Sequence, residues 1–196
     1  MTSALLGGSF DPVHAGHVAM VAHILAHGLA ERVLVVPNWC SPWREPPVAA
    51  ADDRLAMCRL AFAGRAGVEV DDRELAAGRP AFTVDTLEAL AAAQPGMRWR
   101  LVIGADHLGT FRQWRAPERI LELAELLILE RAGAEWQPAA AAALLPEARL
   151  VAAPPFDHPV SASGVRAILA SGQDAAAMLP PGVAEYIRAR GLYRVA

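Results

Sequence analysis

The sequence contains no lysine, and all 18 of its cationic side chains are arginines. They are outnumbered by 21 acidic residues, which gives a net charge of −3. Because a nucleic-acid-binding protein needs a basic surface, we expect no nucleic acid partner. Any cationic contact to a phosphate must come from arginine or from a protonated histidine.

Long apolar runs and cysteines are scarce as well. The strongest run, ELAELLILE, carries charges and is shorter than the ~20 residues that span a bilayer. The N-terminus has neither a basic nor a long apolar region, so we expect no signal peptide and no membrane partner. The only two cysteines, Cys40 and Cys58, have no metal-ligand spacing and suggest no disulfide framework. We therefore expect a reducing, cytoplasmic location.

Short apolar strands alternate with helical patterns along the chain. We predict strands at 4–7, 33–36, 68–70, 101–103, 126–129 and 150–152. We predict helices at 16–26, 54–62, 83–93 and 182–190, with Thr83 as an N-cap and Gly191 as a C-terminal stop. The alanine-rich segment 139–143 favours a solvent-facing helix. The alternation predicts an α/β fold: a doubly wound, Rossmann-like parallel sheet with helices on both faces.

Residues 7–17 have the sequence GGSFDPVHAGH and directly follow the first predicted strand. Gly7 and Gly8 allow backbone N–H groups to approach a ligand closely. A helix begins near His14 and His17, and a helix N-terminus attracts anions. Imidazoles at that terminus can donate hydrogen bonds to phosphate oxygens. The combination indicates a nucleoside triphosphate site at the carboxyl edge of the sheet.

Plainer interpretations of this stretch stay open. A Gly-Gly pair after a strand is also ordinary loop geometry. Two histidines three residues apart could bind a metal, but no Cys, Glu or third His stands nearby to complete a zinc set. The stretch matches neither G-x-G-x-x-G nor G-x-x-x-x-G-K-[ST], which disfavours a hydride-transfer enzyme and a P-loop nucleotidase.

GGSFDPVHAGH resembles the G-x-F-D-P-x-H-x-G-H signature of the nucleotidyltransferase α/β phosphodiesterase superfamily. Within it, the chain resembles the bacterial nicotinate mononucleotide adenylyltransferases in matching order from Leu5 to Tyr193. The segments that carry this likeness are VPNWCSPWREPP, RELAAGRPAFTVDTL, VIGADHLGTFRQW, LLILERAG, VSASGVRAIL and LPPGVAEYIRARGLY. The resemblance implies a single nucleotidyltransferase domain over 1–196, in which 161–196 is a C-terminal helical part with a second phosphate motif.

The resemblance implies an enzyme of NAD biosynthesis. In the family reaction the phosphate of nicotinate mononucleotide attacks the α-phosphorus of ATP in line, which gives nicotinate adenine dinucleotide and pyrophosphate. Such a reaction needs positioned hydrogen-bond donors, an arginine and Mg²⁺ carried by ATP, whereas a protein nucleophile and a protein-held metal are unnecessary. The implied partners are ATP and nicotinate mononucleotide, and a homo-oligomer stays open.

The same resemblance assigns roles to individual residues. The implied catalytic residues are His14, His17 and Arg166, which stabilise charge on the ATP phosphates. The implied ATP-binding residues are Gly8, Ser9, Phe10, Asp106, Ser161 and Ser163. The implied acceptor-binding residues are Arg44, Thr83 and Trp114, with the Thr83 N–H on the nicotinate carboxylate and Trp114 stacked on the pyridine ring. Plainer alternatives are helix caps at Asp106, Ser161 and Ser163 and a packing role for Trp114.

The chain departs from the family pattern at three places. Trp43 replaces a phosphate-contacting histidine; it is either a neutral replacement that leaves the phosphate to Arg44 or an apolar wall that changes the acceptor. The pair 81–82 is Ala-Phe instead of Ser-Tyr, which removes two hydroxyls near the pyridine site. Ser163 and Gly164 replace Thr and its successor.

Two other functions stay in competition with the adenylylation of nicotinate mononucleotide. One is transfer to nicotinamide mononucleotide or to another phosphate acceptor, such as phosphopantetheine. The other is nucleotide binding without turnover, which Trp43 suggests and which the intact His14, His17 and Arg166 oppose.

Overall fold

The structure is a computed structural model that describes residues 1–40, 45–129 and 138–194. Within these ranges six parallel strands form one sheet, namely β1 (Thr2–Gly8), β2 (Arg32–Pro37), β3 (Val68–Val70), β4 (Arg98–Gly104), β5 (Ala124–Leu129) and β6 (Leu150–Ala152). Their order across the sheet is β3-β2-β1-β4-β5-β6. The chain therefore begins in the middle of the sheet and winds outward in both directions, which confirms the doubly wound α/β fold.

Eight α-helices accompany these strands in the described ranges. They are α1 (Ala15–Ala26), α2 (Ala51–Phe62), α3 (Arg73–Ala76), α4 (Thr83–Ala93), α5 (Pro117–Leu123), α6 (Pro138–Leu144), α7 (Ala162–Ala170) and α8 (Pro181–Arg190). Two 3-10 helices cover Ala105–Gln113 and Ala176–Met178. None of the described helices is both long enough and apolar enough to cross a membrane.

Helices cover both faces of the sheet, and the side chains of each central strand alternate between the two cores. In β1, Ala4 and Leu6 belong to the core that α1, α2, α7 and α8 cover, whereas Leu5 belongs to the core under α4, α5 and α6. In β2, Val33 and Val35 face the first core and Leu34 faces the second. The short apolar runs in the sequence are thus strands that are buried on both sides.

Every predicted strand and helix is present, but several bounds differ: α2 begins at Ala51 instead of residue 54, and β1, β4 and β5 are longer than predicted. Thr83 was expected to cap α4, but it is the first helical residue, and Phe82 occupies the N-cap with an extended backbone (φ −100°, ψ 149°). The structure places the alanine-rich segment in α6, as predicted, but Ala141 is buried in the core, so this helix does not face solvent on every side. The helix α8 ends at Gly191 with a φ of 64°, as predicted. The helices α3 and α5 were not predicted, because stretches of 4 and 7 residues show no helical apolar stripe. The helix α7 was expected only as the helix that Ser161 would cap.

Two phenol groups near the C-terminus fasten α8 and the residues after it to earlier parts of the chain. The Tyr186 hydroxyl donates to Asp53 Oδ1 on α2 at 2.8 Å, and Arg190 lies 3.3 Å from the same oxygen. The Tyr193 hydroxyl donates to Asp11 Oδ1 at 2.8 Å in a buried position. Burial and the nearby Asp11 carboxylate raise the pKa of Tyr193, so its hydroxyl stays protonated and continues to donate.

We expect Tyr193→Phe to lower the free energy of unfolding by about 1.5–3 kcal/mol, because a buried hydrogen bond to a carboxylate is lost. Tyr186→Phe is the matched control, and its loss should be below about 1 kcal/mol because Arg190 remains beside Asp53. Urea unfolding of both variants measures the difference. Equal losses would contradict the central role given to the Tyr193 contact.

Candidate active site

A cleft of about 890 Å³ opens at the carboxyl edge of the sheet, beside the point where the strand order reverses between β1 and β4. Ligands of open α/β sheets bind at this topological position. Ten of the predicted site residues line the cleft: Gly8, Ser9, Phe10, His14, His17, Thr83, Trp114, Ser161, Ser163 and Arg166. The structure therefore brings together residues from both ends of the chain.

The two histidines of the opening stretch lie together at the start of α1. His14 is the N-cap residue, and its backbone N–H donates to Nδ1 of His17 at 3.3 Å. Their ring centroids are 3.8 Å apart, and the rings of Phe10 and His17 meet in a T-shaped contact with centroids 4.9 Å apart. Because Nδ1 of His17 accepts a hydrogen bond, the proton of a neutral ring resides on Nε2, which is then a donor.

Gly16 has a steric reason to be glycine. A Cβ atom there would lie 3.0 Å from two ring atoms of His14 and 3.1 Å from Nδ1 of His158. At these distances the imidazoles would have to give way by a few tenths of an ångström. The glycine between the two histidines of the motif thus makes room for the ring of the first.

A second helix N-terminus lies across the cleft. Ser161 is the N-cap of α7, and its Oγ accepts the N–H of Gly164 at 3.2 Å, so the expected capping role is confirmed. The Oγ of Ser163 lies 3.2 Å from that of Ser161. One turn further on, Arg166 donates to the carbonyl oxygen of Asp11 at 2.6 Å. This contact holds a cation at the rim of the opening loop.

Asp11 connects the opening loop to three other parts of the chain. Its two carboxylate oxygens accept the N–H groups of Val48 at 2.7 Å and Ala49 at 3.0 Å. Oδ1 also accepts the Tyr193 hydroxyl, and Oδ2 lies 3.8 Å from Arg166. The residue is only 5% exposed, and these donors together with the Arg166 guanidinium compensate its charge.

Arg54 on α2 supplies hydrogen-bond donors to backbone carbonyl groups beside the opening loop. Its guanidinium donates to the carbonyl oxygens of Ser9 and Asn38, each at 2.7 Å, and to that of Trp39 at 2.8 Å. The residue is 1% exposed, and this burial lowers the pKa of the guanidinium, an effect that the nearby Asp11 carboxylate opposes. The ends of β1 and β2 are thereby fixed beside the cleft.

The remaining predicted residues have different placements. Trp114 lines the cleft and also packs on Phe111 with ring centroids 5.4 Å apart, so it fits the stacking role and the packing role together. Asp106 is exposed in the first turn of the 3-10 helix that Gly104 caps, so it is not an N-cap. It does not line the cleft, but its carboxylate lies 3.8 Å from His107, which is a lining residue. Arg44 and Trp43 lie outside the described residues.

Comparisons with known proteins agree with this geometry. A family model described as cytidylyltransferase-like matches residues 5–168. A protein of Bordetella avium named "Probable nicotinate-nucleotide adenylyltransferase" is 42% identical over 98% of both chains. A protein of the same name from Pseudomonas entomophila is 37% identical over 97% of this chain and 94% of its own. The chain belongs to the nicotinate-nucleotide adenylyltransferases.

The fold of this adenylyltransferase also matches a solved structure. The Plasmodium falciparum nicotinic acid mononucleotide adenylyltransferase, solved in complex with NaAD, aligns with a TM-score of 0.79 at 18% identity, covering 98% of this chain and 97% of that one. At this identity the likeness shows the fold alone. The family membership that the sequence motifs implied is therefore confirmed, and the fold agrees with it.

The residues of the adenylyltransferase site that the sequence analysis missed include Asp11, Arg54 and Glu74. Asp11 stood inside the quoted motif without a role. Arg54 shares helical spacing with the buried Met57 and Cys58, and a charged residue in such a stripe indicates buried partners. Glu74 also lines the cleft and accepts the Thr86 hydroxyl at 2.6 Å; it stood in the quoted segment RELAAGRPAFTVDTL without a role.

We expect Gly16→Ala to lower kcat/KM by about tenfold to a hundredfold, because displaced catalytic groups are costly even when the shift is small. Gly109→Ala is the matched control, since a Cβ at Gly109 meets nothing within 4 Å and its φ is not positive. Steady-state kinetics of both variants test the steric role of Gly16. Activity of Gly16→Ala within about threefold of wild type would contradict it.

A pH-dependent contribution to stability is expected from Glu74, because burial raises the pKa of its carboxyl group. The folded state then holds the proton more tightly than the unfolded state does. This stability is present at low pH and is lost as the pH rises through the raised pKa. We expect Glu74→Gln, which keeps the oxygen that accepts from Thr86, to be more stable relative to wild type at pH 8 than at about pH 4.

Thermal or urea unfolding of Glu74→Gln across this pH range provides the measurement. Glu88→Gln is the control for the loss of a negative charge, because Glu88 lies on the exposed side of α4 and pairs with Arg119 at the surface. A stability difference for Glu74→Gln that is flat with pH would refute the burial argument.

Proposed function

We propose that this chain adenylylates nicotinate mononucleotide in the cleft, with the ATP phosphates held between the N-termini of α1 and α7. The observation that carries the proposal is the convergence of His14 and His17 on one terminus with Ser161 and Arg166 at the other. Helix N-termini favour phosphate groups through their N–H donors and their dipole. Imidazole and guanidinium groups add hydrogen bonds that become stronger as negative charge develops on the phosphate oxygens.

The reaction requires the protein mainly to position the two substrates and to stabilise negative charge. As the acceptor phosphate attacks the α-phosphorus, negative charge accumulates on the phosphate oxygens and on the leaving pyrophosphate. The Nε2–H of His17 and the guanidinium of Arg166 stabilise that charge, with His14 beside them. Gly8, Ser9 and Phe10 line the same cleft. A covalent intermediate is not needed.

The acceptor site is proposed on the other side of the cleft, around the start of α4. Thr83 is the first residue of α4, and N–H groups of a first helical turn have no acceptor within their helix. A carboxylate on the pyridine ring matches this terminus better than a neutral amide does, which favours nicotinate over nicotinamide. Trp114 offers the ring face for stacking. Arg44 and Asp106 keep their implied roles as proposals for the acceptor phosphate and for ATP.

Magnesium is proposed to enter with ATP. Among the described residues no group of three or more His, Cys, Asp or Glu side chains could hold a metal ion. Mg²⁺ commonly binds through substrate phosphates and water molecules, and there it neutralises phosphate charge. The histidines and Arg166 would then bind the phosphate oxygens that the ion leaves exposed.

The decisive measurement is pyrophosphate release with ATP and each acceptor in turn, namely nicotinate mononucleotide, nicotinamide mononucleotide and phosphopantetheine. We expect His17→Ala to lower turnover with nicotinate mononucleotide by about a hundredfold to a thousandfold, roughly 2.7–4 kcal/mol, with a much smaller effect on ATP affinity. His27→Ala, exposed at the far end of α1, is the control. Turnover of His17→Ala within about threefold of wild type would remove His17 from the mechanism, and release with another acceptor alone would overturn the proposed substrate.

Activity should require a divalent cation. We expect excess chelator to abolish pyrophosphate release and added Mg²⁺ to restore it without refolding, because the ion belongs to the substrate. Full activity in chelator, or a stoichiometric zinc ion found by elemental analysis of the pure protein, would disprove this.

A further inference from the structure

His158 lies in the segment between β6 and α7, three residues before Ser161 of the second phosphate motif. It is half-buried and lines the same cleft as His14 and His17. Its ring stacks on that of Phe156, with centroids 6.4 Å apart and an interplanar angle of 19°. This stacking restricts the orientation of the imidazole.

One hydrogen bond determines which nitrogen of His158 can donate. The backbone N–H of Val160 donates to Nδ1 at 3.4 Å. A nitrogen that accepts a hydrogen bond carries no proton, so the proton of the neutral ring is on Nε2. The loop therefore presents an N–H donor on the other side of the ring.

The position of His158 connects it to the first phosphate motif. Its Nδ1 lies 3.1 Å from the point that a Cβ of Gly16 would occupy, and His14 approaches the same point at 3.0 Å. The two imidazoles thus flank Gly16 in the first turn of α1. Gly16 and His158 are far apart in the sequence, yet they meet near the starts of α1 and α7.

We propose that His158 is a further ATP-binding residue, whose Nε2–H donates a hydrogen bond to a phosphate oxygen of ATP. This inference rests on the proposed placement of the phosphates between α1 and α7. The chain has no lysine to supply donors, and Arg166 gives one of its N–H groups to Asp11. A third imidazole between the two termini supplies a donor that the polyphosphate needs.

Two substitutions separate this role from simple support of the loop. His158→Asn keeps an oxygen near the position of Nδ1, so the Val160 N–H retains its acceptor, but the donor at Nε2 is lost. His158→Gln places an amide nitrogen near Nε2 and keeps the donor. We expect His158→Asn to raise the Kd and the KM for Mg-ATP by about tenfold, with the KM for nicotinate mononucleotide within twofold of wild type. His158→Gln should restore most of the loss.

Isothermal titration with Mg-ATP and steady-state kinetics give these values, with His27→Ala as the control. Equal effects of the Asn and Gln variants, or equal shifts in the KM for both substrates, would overturn the inference and leave His158 a structural residue. Failure of the two proposals can be told apart. If His17→Ala loses turnover while His158→Asn behaves as wild type, only the role of His158 falls; if His17→Ala stays active, the phosphate placement itself falls.

Discussion

The buried guanidinium of Arg54 determines where the first two strands end and the ligand cleft begins. The carbonyl groups of Ser9, Asn38 and Trp39 leave the strand ladders at that edge, and all three accept from it. A buried carbonyl without a partner costs about 1–3 kcal/mol, so one side chain offsets several such penalties. Only arginine offers enough donors in a fixed plane for this task. Replacement by a shorter or neutral side chain would release both loops at once.

Asp11 supplies the opposite charge and extends the same network to the end of the chain. It joins the opening loop to Val48 and Ala49, to Arg166 on α7 and to Tyr193. Between Arg54 and Asp11 the backbone of Phe10 is held at a φ of 47°, a conformation that is uncommon for a bulky residue. The loop that faces the nucleotide is thus positioned by tertiary contacts and not by local preference.

The sequence allowed prediction of the features that depend on local pattern. The strands 68–70 and 150–152 and the span of α4 were predicted to the residue, because apolar runs and helical spacing are local signals. The cap assignment to Thr83 was wrong by one residue: Thr83 is the first helical residue, and Phe82 is the N-cap, with its N–H donated to the carboxylate of Asp85. The partners of Asp11 and the placement of His158 depend on contacts more than 30 and more than 100 residues away in sequence, respectively, which no local pattern encodes.

The same network explains how a chain of net charge −3 offers a site for a triphosphate. Electrostatic attraction at the cleft is local, since charges separated by more than about 8 Å of solvent are screened at physiological salt. An ionised Asp11 beside the phosphates would oppose binding if it were exposed to them. Its oxygens instead face two backbone N–H groups and the Tyr193 hydroxyl, with Arg166 nearby. Compensating this one carboxylate from distant parts of the chain is therefore a condition for the helix N-termini, the imidazoles and the arginine to attract an anion.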